Sequence, residues 1–421
     1  MNAAMVDCIA WASVELSPEQ VNQRRIDARR NGYAAWLWPD VDIRHWRRAL
    51  EEITSVTRKL LAGEANTTIA CDDTNAMCIA AYTSGMGPFL GYWIERGVVR
   101  ASDEIGTLFR LHLAHNRWRM ARLSAVLQNA VEELNKKNIV PLVLKGMDTA
   151  FRYFPEPGTR PLSDIDLFVP ADSIANTEQV FSSLGYRRVP RMRAPYACDW
   201  VHPSASQHPR TLAFVHEEDP WSFDILGSLD KRLPTGAWIG LDSLLVPAAR
   251  GTGAGRALVM KQPLLTLYLA VHFSQTLLNT TILRALELVL VIRRDCALGV
   301  LDWDDFLRAA NIIGGVRFIY PALIFAEQLA PGMIPTEVIE AVRSETPKNL
   351  RDVVANLTLS TAQPLDRHSV KERFMWAGSW REYLVQIGSE LTLDGRGAPF
   401  EAAAYSIGTK LWALRRRRYS G

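Results

Sequence analysis

The sequence predicts an α+β protein: a small mixed β-sheet with its helices, preceded by a helical N-terminal region and followed by a mainly helical C-terminal region. Three observations carry this reading. Short apolar runs bounded by Gly and Pro cluster between residues 139 and 226, which is the signature of strands. Apolar residues recur at helical spacing on both sides of that block. Gly251, Gly253 and Gly255 punctuate the junction where strands give way to helices and mark a linker.

At 421 residues the chain exceeds what one hydrophobic core usually serves. We therefore expect an N-terminal mainly helical region over 1–100, a catalytic core over 101–250 and a helical domain over 256–421. A content of 48% hydrophobic and 22% charged residues is that of an ordinary soluble globular protein. The formal net charge of +3 makes a general polyanion binder unattractive, so a nucleic-acid partner is a secondary expectation. Arg415 to Arg418, after Lys410, is a local basic run that reads first as a solvated terminal helix and second as a contact for phosphates, anionic lipid or an acidic peptide. Cys8, Cys71, Cys78, Cys198 and Cys296 show no CxxC spacing, which argues against a disulfide framework or zinc site and for a reducing cytoplasm. Asp7, Glu15 and Glu19 interrupt any early apolar stretch, so no secretory signal is expected. No window reaches the roughly 18 apolar residues of a membrane span.

Taken in order, Trp46 to Leu61 reads as a helix, and the polar stretches Asn66 to Thr68 and Cys71 to Asn75 break the pattern. Ser102, followed by Asp103 and Glu104, caps a long amphipathic helix that runs to Asn138 through Ile105, Leu108, Leu111, Met120, Leu123, Leu127, Val131 and Leu134. Ile139 to Leu144 is a buried strand that ends in Lys145-Gly146. A loop over 151–161 with Pro155, Pro157, Gly158 and Pro161 leads to a strand from Asp164 to Val169, then a helix over 173–184. Thr211 to Val215 and Trp221 to Leu226 flank the turn His216 to Pro220 and predict an antiparallel hairpin. Beyond Lys261, helical spacing recurs in 264–278, 283–292 and 306–326.

The chemistry concentrates on Asp164 and Asp166. Residues two apart on a strand share a face, so both carboxylates point one way while Ile165 and Leu167 point into the packing. Two like charges held so close call for a cation between them, and oxygen-only ligands suit Mg2+ or Mn2+. Asp224 completes a three-carboxylate platform if its strand neighbours the first; Asp219 and Asp230 are the alternatives. Lys145 and Gly146 stand where a strand meets a helical turn, so that glycine admits a phosphate close to the backbone and lysine supplies charge. Arg160 is placed to reach the same phosphates, or else to pair with Glu156 or Asp164.

Val143-Leu144-Lys145-Gly146, then Arg160, then Ser163 to Val169, together with Phe223-Asp224-Ile225, resemble the motifs of the polymerase-beta-like nucleotidyltransferase superfamily, in particular its bacterial branch that reads LKG, an arginine, then DID. Leu267 to Phe273 resembles the start of the family's helical C-terminal region, and the resemblance covers residues 105 to 330. It implies transfer of a nucleoside monophosphate, AMP being the expected one, from a triphosphate donor, ATP first, to a hydroxyl or similar nucleophile of a small molecule, peptide or protein, with release of pyrophosphate. It also implies that Asp164, Asp166 and Asp224 hold the metal and do the chemistry, and that Lys145, Gly146, Arg160 and Ser163 hold the donor. Natural-product tailoring is an expectation by association only. Met147 departs from the serine that many members carry after the glycine. Two alternatives follow: a nucleotide-binding relative without turnover, and a tRNA-directed nucleotidyltransferase of toxin type.

Other signals read as structure. His272 sits in an apolar helical pattern and fits a core histidine more readily than a catalytic one. His202, His208 and His216 have irregular spacing and do not predict zinc. Gly251 to Gly255 lacks the strand and spacing of a nucleotide loop. Trp36, Trp38, Trp46, Trp118, Trp376 and Trp380 fit core or interface anchors better than a base-stacking platform.

Overall fold

The computed structural model describes residues 41–361, apart from 65, 191–196, 206–217, 233–237, 246–255, 276, 278 and 279, together with 375–382, 384 and the isolated positions 17, 19, 20, 23, 24 and 26. Thr211 to Val215, Gly251 to Gly255, Arg415 to Arg418, His208, His216, Trp36, Trp38 and Cys8 lie outside the described residues.

Helix α1 (Ile43–Leu61), the short strand β1 (Thr67–Thr68), α2 (Thr74–Ser84), α3 (Gly87–Glu95) and β2 (Val99–Arg100) open the chain. Helix α4 (Asp103–Lys136) follows, capped by Ser102, whose hydroxyl accepts from the Ile105 N–H, with Asp103 and Glu104 in its first turn. Then come β3 (Leu142–Val143), α5 (Met147–Arg152), β4 (Asp164–Phe168), α6 (Ile174–Ser183), β5 (Arg187–Pro190), β6 (Ala197–Val201), β7 (Ser222–Leu226), β8 (Lys231–Arg232), β9 (Trp238–Ile239) and β10 (Leu258–Val259). Helices α7 (Leu264–Gln275), α8 (Ile282–Ala297), α9 (Trp303–Ile312), α10 (Val316–Leu329), α11 (Thr336–Ser344) and α12 (Lys348–Asn356) complete the described elements. The helical spacing over 306–326 thus resolves into two helices. Gly314, at φ +62°, takes the left-handed turn between them.

The protein is α+β, with one mixed sheet of six strands in the order β10-β3-β4-β7-β6-β5. Strands β4 and β7 run parallel, β3 is antiparallel to β4, and β6 is antiparallel to β7. The expected hairpin partner of β7 lies outside the described residues, and the strand that pairs with β7 in antiparallel fashion is β6.

Strand alternation divides the sheet into two faces with different fates. Ile165, Leu167, Phe223 and Ile225 point to one side and join the Met120 to Leu134 stretch of α4 in a core of their own. Phe168, Leu226, Leu142 and Leu144 point to the other side, into a larger core built with α7 to α10 and with α1 to α3. Asp164, Asp166 and Asp224 stand on this second face, at the end of the strands where the apolar residues stop. No helix among the described residues is long and apolar enough to cross a membrane.

Candidate active site

The parallel register of β4 and β7 sets Asp164 opposite Ser222 and Asp166 opposite Asp224. Asp166 and Asp224 therefore face the same side on adjacent strands, about 4.8 Å apart along the hydrogen-bonding direction. Both are buried, at 4% and 5% exposure, while Asp164 at the strand's start is half-buried. Asp199 on β6 lies opposite Asp224, so the row of carboxylates extends to a third strand. Ser163 is exposed, and its hydroxyl donates to Asp164 Oδ1 at 3.2 Å.

Such a row is untenable without positive charge, and Lys145 supplies it: its Nζ donates to Asp166 Oδ2 at 2.7 Å. Burial raises the Asp166 carboxyl above the usual range against the pull of Lys145, and Asp164 pushes the same way as burial. Burial works against the charged lysine, yet the fields of Asp166 and Asp164 outweigh it and hold Lys145 above its ordinary value.

Gly146 turns the chain at φ +66°, a left-handed conformation costly to any residue with a side chain. A Cβ there would also meet Leu162 Cδ2 at 2.9 Å. The turn is locked from behind by Glu287 of α8. Its carboxylate accepts from Arg160 Nε at 3.0 Å and Nη2 at 2.8 Å, from the Gly146 N–H at 3.4 Å, and from the Thr149 hydroxyl. Burial would raise Glu287, but Arg160, Thr149 and Lys145 together hold it below its ordinary value. Arg160 Nη1 donates to the Pro161 carbonyl at 3.0 Å. The arginine is thus tied to Glu287 rather than to Glu156 or Asp164, and Glu156 pairs with Arg117 instead. Met147, where many superfamily members carry serine, buries its side chain in the smaller core.

Two elements the motif does not contain close over the carboxylates. Lys231 of β8 donates from Nζ to the Tyr268 hydroxyl at 3.2 Å and lies 4.8 Å from that ring's centre. Burial, then the charges of Asp166, Asp224 and Asp164, push the Tyr268 phenol well above its usual value. His272, one turn further along α7, is half-buried. Burial, then Lys145, Arg284, Lys231 and Arg160, depress its imidazole, so it faces the site's cations as a neutral ring.

Arg119 holds the carboxylate strands to each other. From α4 its guanidinium donates to the carbonyls of Leu162 at 2.9 Å, Asp219 at 2.7 Å and Pro220 at 2.9 Å, the residues leading into β4 and β7. The side chain is 1% exposed, and burial draws its proton affinity down to about 10. Two residues beyond Gly146, burial pushes the Asp148 carboxyl up to about 7, with Arg152 opposing the rise and Glu287 and Asp295 adding to it.

Sequence reasoning assembled Asp164, Asp166, Asp224, Lys145, Gly146, Ser163 and Arg160, and the structure brings these seven into one neighbourhood. It did not find Arg119, Lys231, Tyr268, Arg284 or Glu287. The available signal was a charged residue inside an apolar helical run, as with Glu287 between Leu286 and Leu288, since such a residue demands a partner. Nothing in the sequence says which partner.

The donor set has the right chemistry for a hard divalent cation, being oxygen-only with Asp166 and Asp224 buried. Among the described residues no three His, Cys, Asp or Glu side chains are arranged as a metal site. Compared with known proteins, residues 77–331, more than half of the chain, match the family described as uncharacterised nucleotidyltransferase. No curated protein and no solved structure matches the chain.

Proposed function

Because the chain belongs to the uncharacterised nucleotidyltransferase family, we propose that it moves a nucleoside monophosphate, AMP being the expected one, from a nucleoside triphosphate to a hydroxyl or similar nucleophile of a small molecule, peptide or protein, releasing pyrophosphate. One observation carries the reading: Asp166 and Asp224 stand side by side on parallel strands, buried, with a lysine 2.7 Å from one of them. A structural role would not concentrate acids on an interior sheet face, because burying them costs stability.

Asp164, Asp166 and Asp224 would hold Mg2+ or Mn2+, which when bound neutralises the triphosphate and polarises the acceptor hydroxyl. Mg2+ commonly sits on one or two carboxylates with substrate phosphates completing its shell. Lys145 lies where it can meet the phosphates, and the Gly146 turn gives them room against the backbone. Arg160 acts through Glu287, whose carboxylate balances its charge, and the pair keeps the turn in its left-handed shape. Lys231, hydrogen-bonded to Tyr268, would add positive charge near the acids.

The test is transfer from α-labelled ATP, GTP, CTP and UTP with Mg2+, together with calorimetric titration of each. Wild type should bind one triphosphate in a magnesium-dependent way. The Asp166→Asn and Asp224→Asn variants should fold and lose at least about 1,000-fold in rate, the scale of removing a principal stabiliser of developing charge. Absence of triphosphate binding by folded wild type would overturn the reading.

A second reading, nucleotide binding without turnover, draws on the buried Met147 side chain, which offers no hydroxyl to a phosphate. The asparagine variants separate the two, since a pure binder would keep its biological effect.

A further inference from the structure

Lys145 sits on the oxygen that a cation would take. Its Nζ lies 2.7 Å from Asp166 Oδ2, and the two side chains are only 13% and 5% exposed. A divalent ion on that carboxylate would share a dry pocket with the ammonium, and like charges within about 4–6 Å strongly disfavour each other.

The backbone around the lysine is pinned. The Leu144 N–H donates to the Asp166 carbonyl at 3.0 Å, and the Gly146 N–H and Thr149 hydroxyl both donate to Glu287, which Arg160 holds in turn. What can move is the flexible side chain of Lys145.

Resting on the nucleotidyl-transfer reading above, we propose that Lys145 is the resident counter-ion of the carboxylate site. It fills the cation position while no nucleotide is bound, and the phosphates of an incoming triphosphate draw it away. The divalent ion then enters only together with the nucleotide. Metal and triphosphate thereby bind with positive coupling, and each raises the other's affinity by the same factor. The protein also keeps its acids charge-balanced between turnovers.

The probe is Mn2+, with free ion followed by electron paramagnetic resonance, against wild type, Lys145→Met and Lys145→Arg, each with and without an α,β-methylene triphosphate. Wild type and Lys145→Arg should bind Mn2+ weakly alone and at least tenfold more tightly with the analogue. Lys145→Met should bind Mn2+ alone at least tenfold more tightly than wild type, and the analogue should add less than it adds for wild type. Equal or weaker Mn2+ binding by folded Lys145→Met overturns the proposal, while the donor reading stands if wild type still shows analogue-dependent binding. No analogue-dependent binding by wild type sinks the donor reading itself. Should Lys145→Met fail to fold, side-chain 15N resonances of lysine in wild type decide: the Lys145 signal should move with Mn-free Mg2+ plus analogue and stay put with Mg2+ alone. A shift with Mg2+ alone overturns the proposal.

Discussion

At the scale of single residues, the cost of building this site is legible in its buried acids. Asp148 is the clearest case, since burial lifts its carboxyl to about 7 two residues beyond Gly146. In the unfolded chain the group titrates near 3.9. Between those values the native state binds more protons than the unfolded one, so stability contributed at Asp148 is present at low pH and is lost as pH rises toward and through 7. Asparagine removes the ionisation and keeps an oxygen for Arg152, whose Nε lies 3.0 Å away. We expect Asp148→Asn to be more stable than wild type by about 1–3 kcal/mol at pH 8, a few degrees in Tm, by about a third of that at pH 5, and nearly equal below about pH 4. Melting curves at these pH values check this; a variant less stable at pH 8 would show that the Arg152 pair outweighs burial. Residues of this kind were invisible beforehand. Asp148 follows Met147 as any first-turn helical acid would, and only the packing of α8 makes it expensive.

At the scale of elements, the decisive relation is the register between β4 and β7. The Asp-Ile-Asp alternation was readable because a strand has period two, and the face assignment of Ile165 and Leu167 follows from it. That β7 neighbours β4 was a condition the sequence left open, and its parallel direction was not foreseen, because more than fifty residues separate them and no local rule chooses the partner. Arg119 is one physical reason the pairing holds. It ties the entry to β4 and the entry to β7 to one guanidinium, at 2.7 to 2.9 Å from three carbonyls. Replacing it with methionine leaves those carbonyls buried without donors, at a cost of about 3–5 kcal/mol. Lysine presents one compact donor group instead of a planar fork and should recover only part of the loss. Urea denaturation measures the stability. If Arg119 acts on register, both variants should also weaken nucleotide-dependent metal binding at temperatures where they remain folded; unchanged binding would reduce it to a structural buttress.

At the scale of the whole molecule, the helical character of the described segments on either side of the sheet was readable from apolar spacing, but the way those segments combine was not. Division at residue 100 treats the N-terminal helices as a separate region. The family match begins at residue 77, inside α2, and so already reaches across that line. One hydrophobic core contains Trp46, Leu50 and Ile53 of α1, Leu90 of α3, and Leu265, Phe273 and Phe325 of α7 and α10. Polar contacts reinforce the join: Arg58 of α1 donates to the Gln328 carbonyl at 2.6 and 3.0 Å, and Arg293 of α8 donates to the Leu61 carbonyl at 2.6 Å. Periodicity shows which face of a helix is apolar and never shows what covers it, so a first and a third segment sharing one core leave no mark in the sequence. Removing residues 1–100 would strip α1 to α3 from the core they share with α7, the helix that carries Tyr268. We expect the fragment 101–421 to lose its cooperative thermal transition and to bind an apolar dye strongly, as a chain with an uncovered core does. Donor binding should vanish with the transition, even though Asp164, Asp166, Asp224 and Lys145 are all retained. A fragment that melts cooperatively and still binds triphosphate with Mg2+ would mean that α7 and the sheet hold their arrangement without α1 to α3, and that the larger core is two cores in contact.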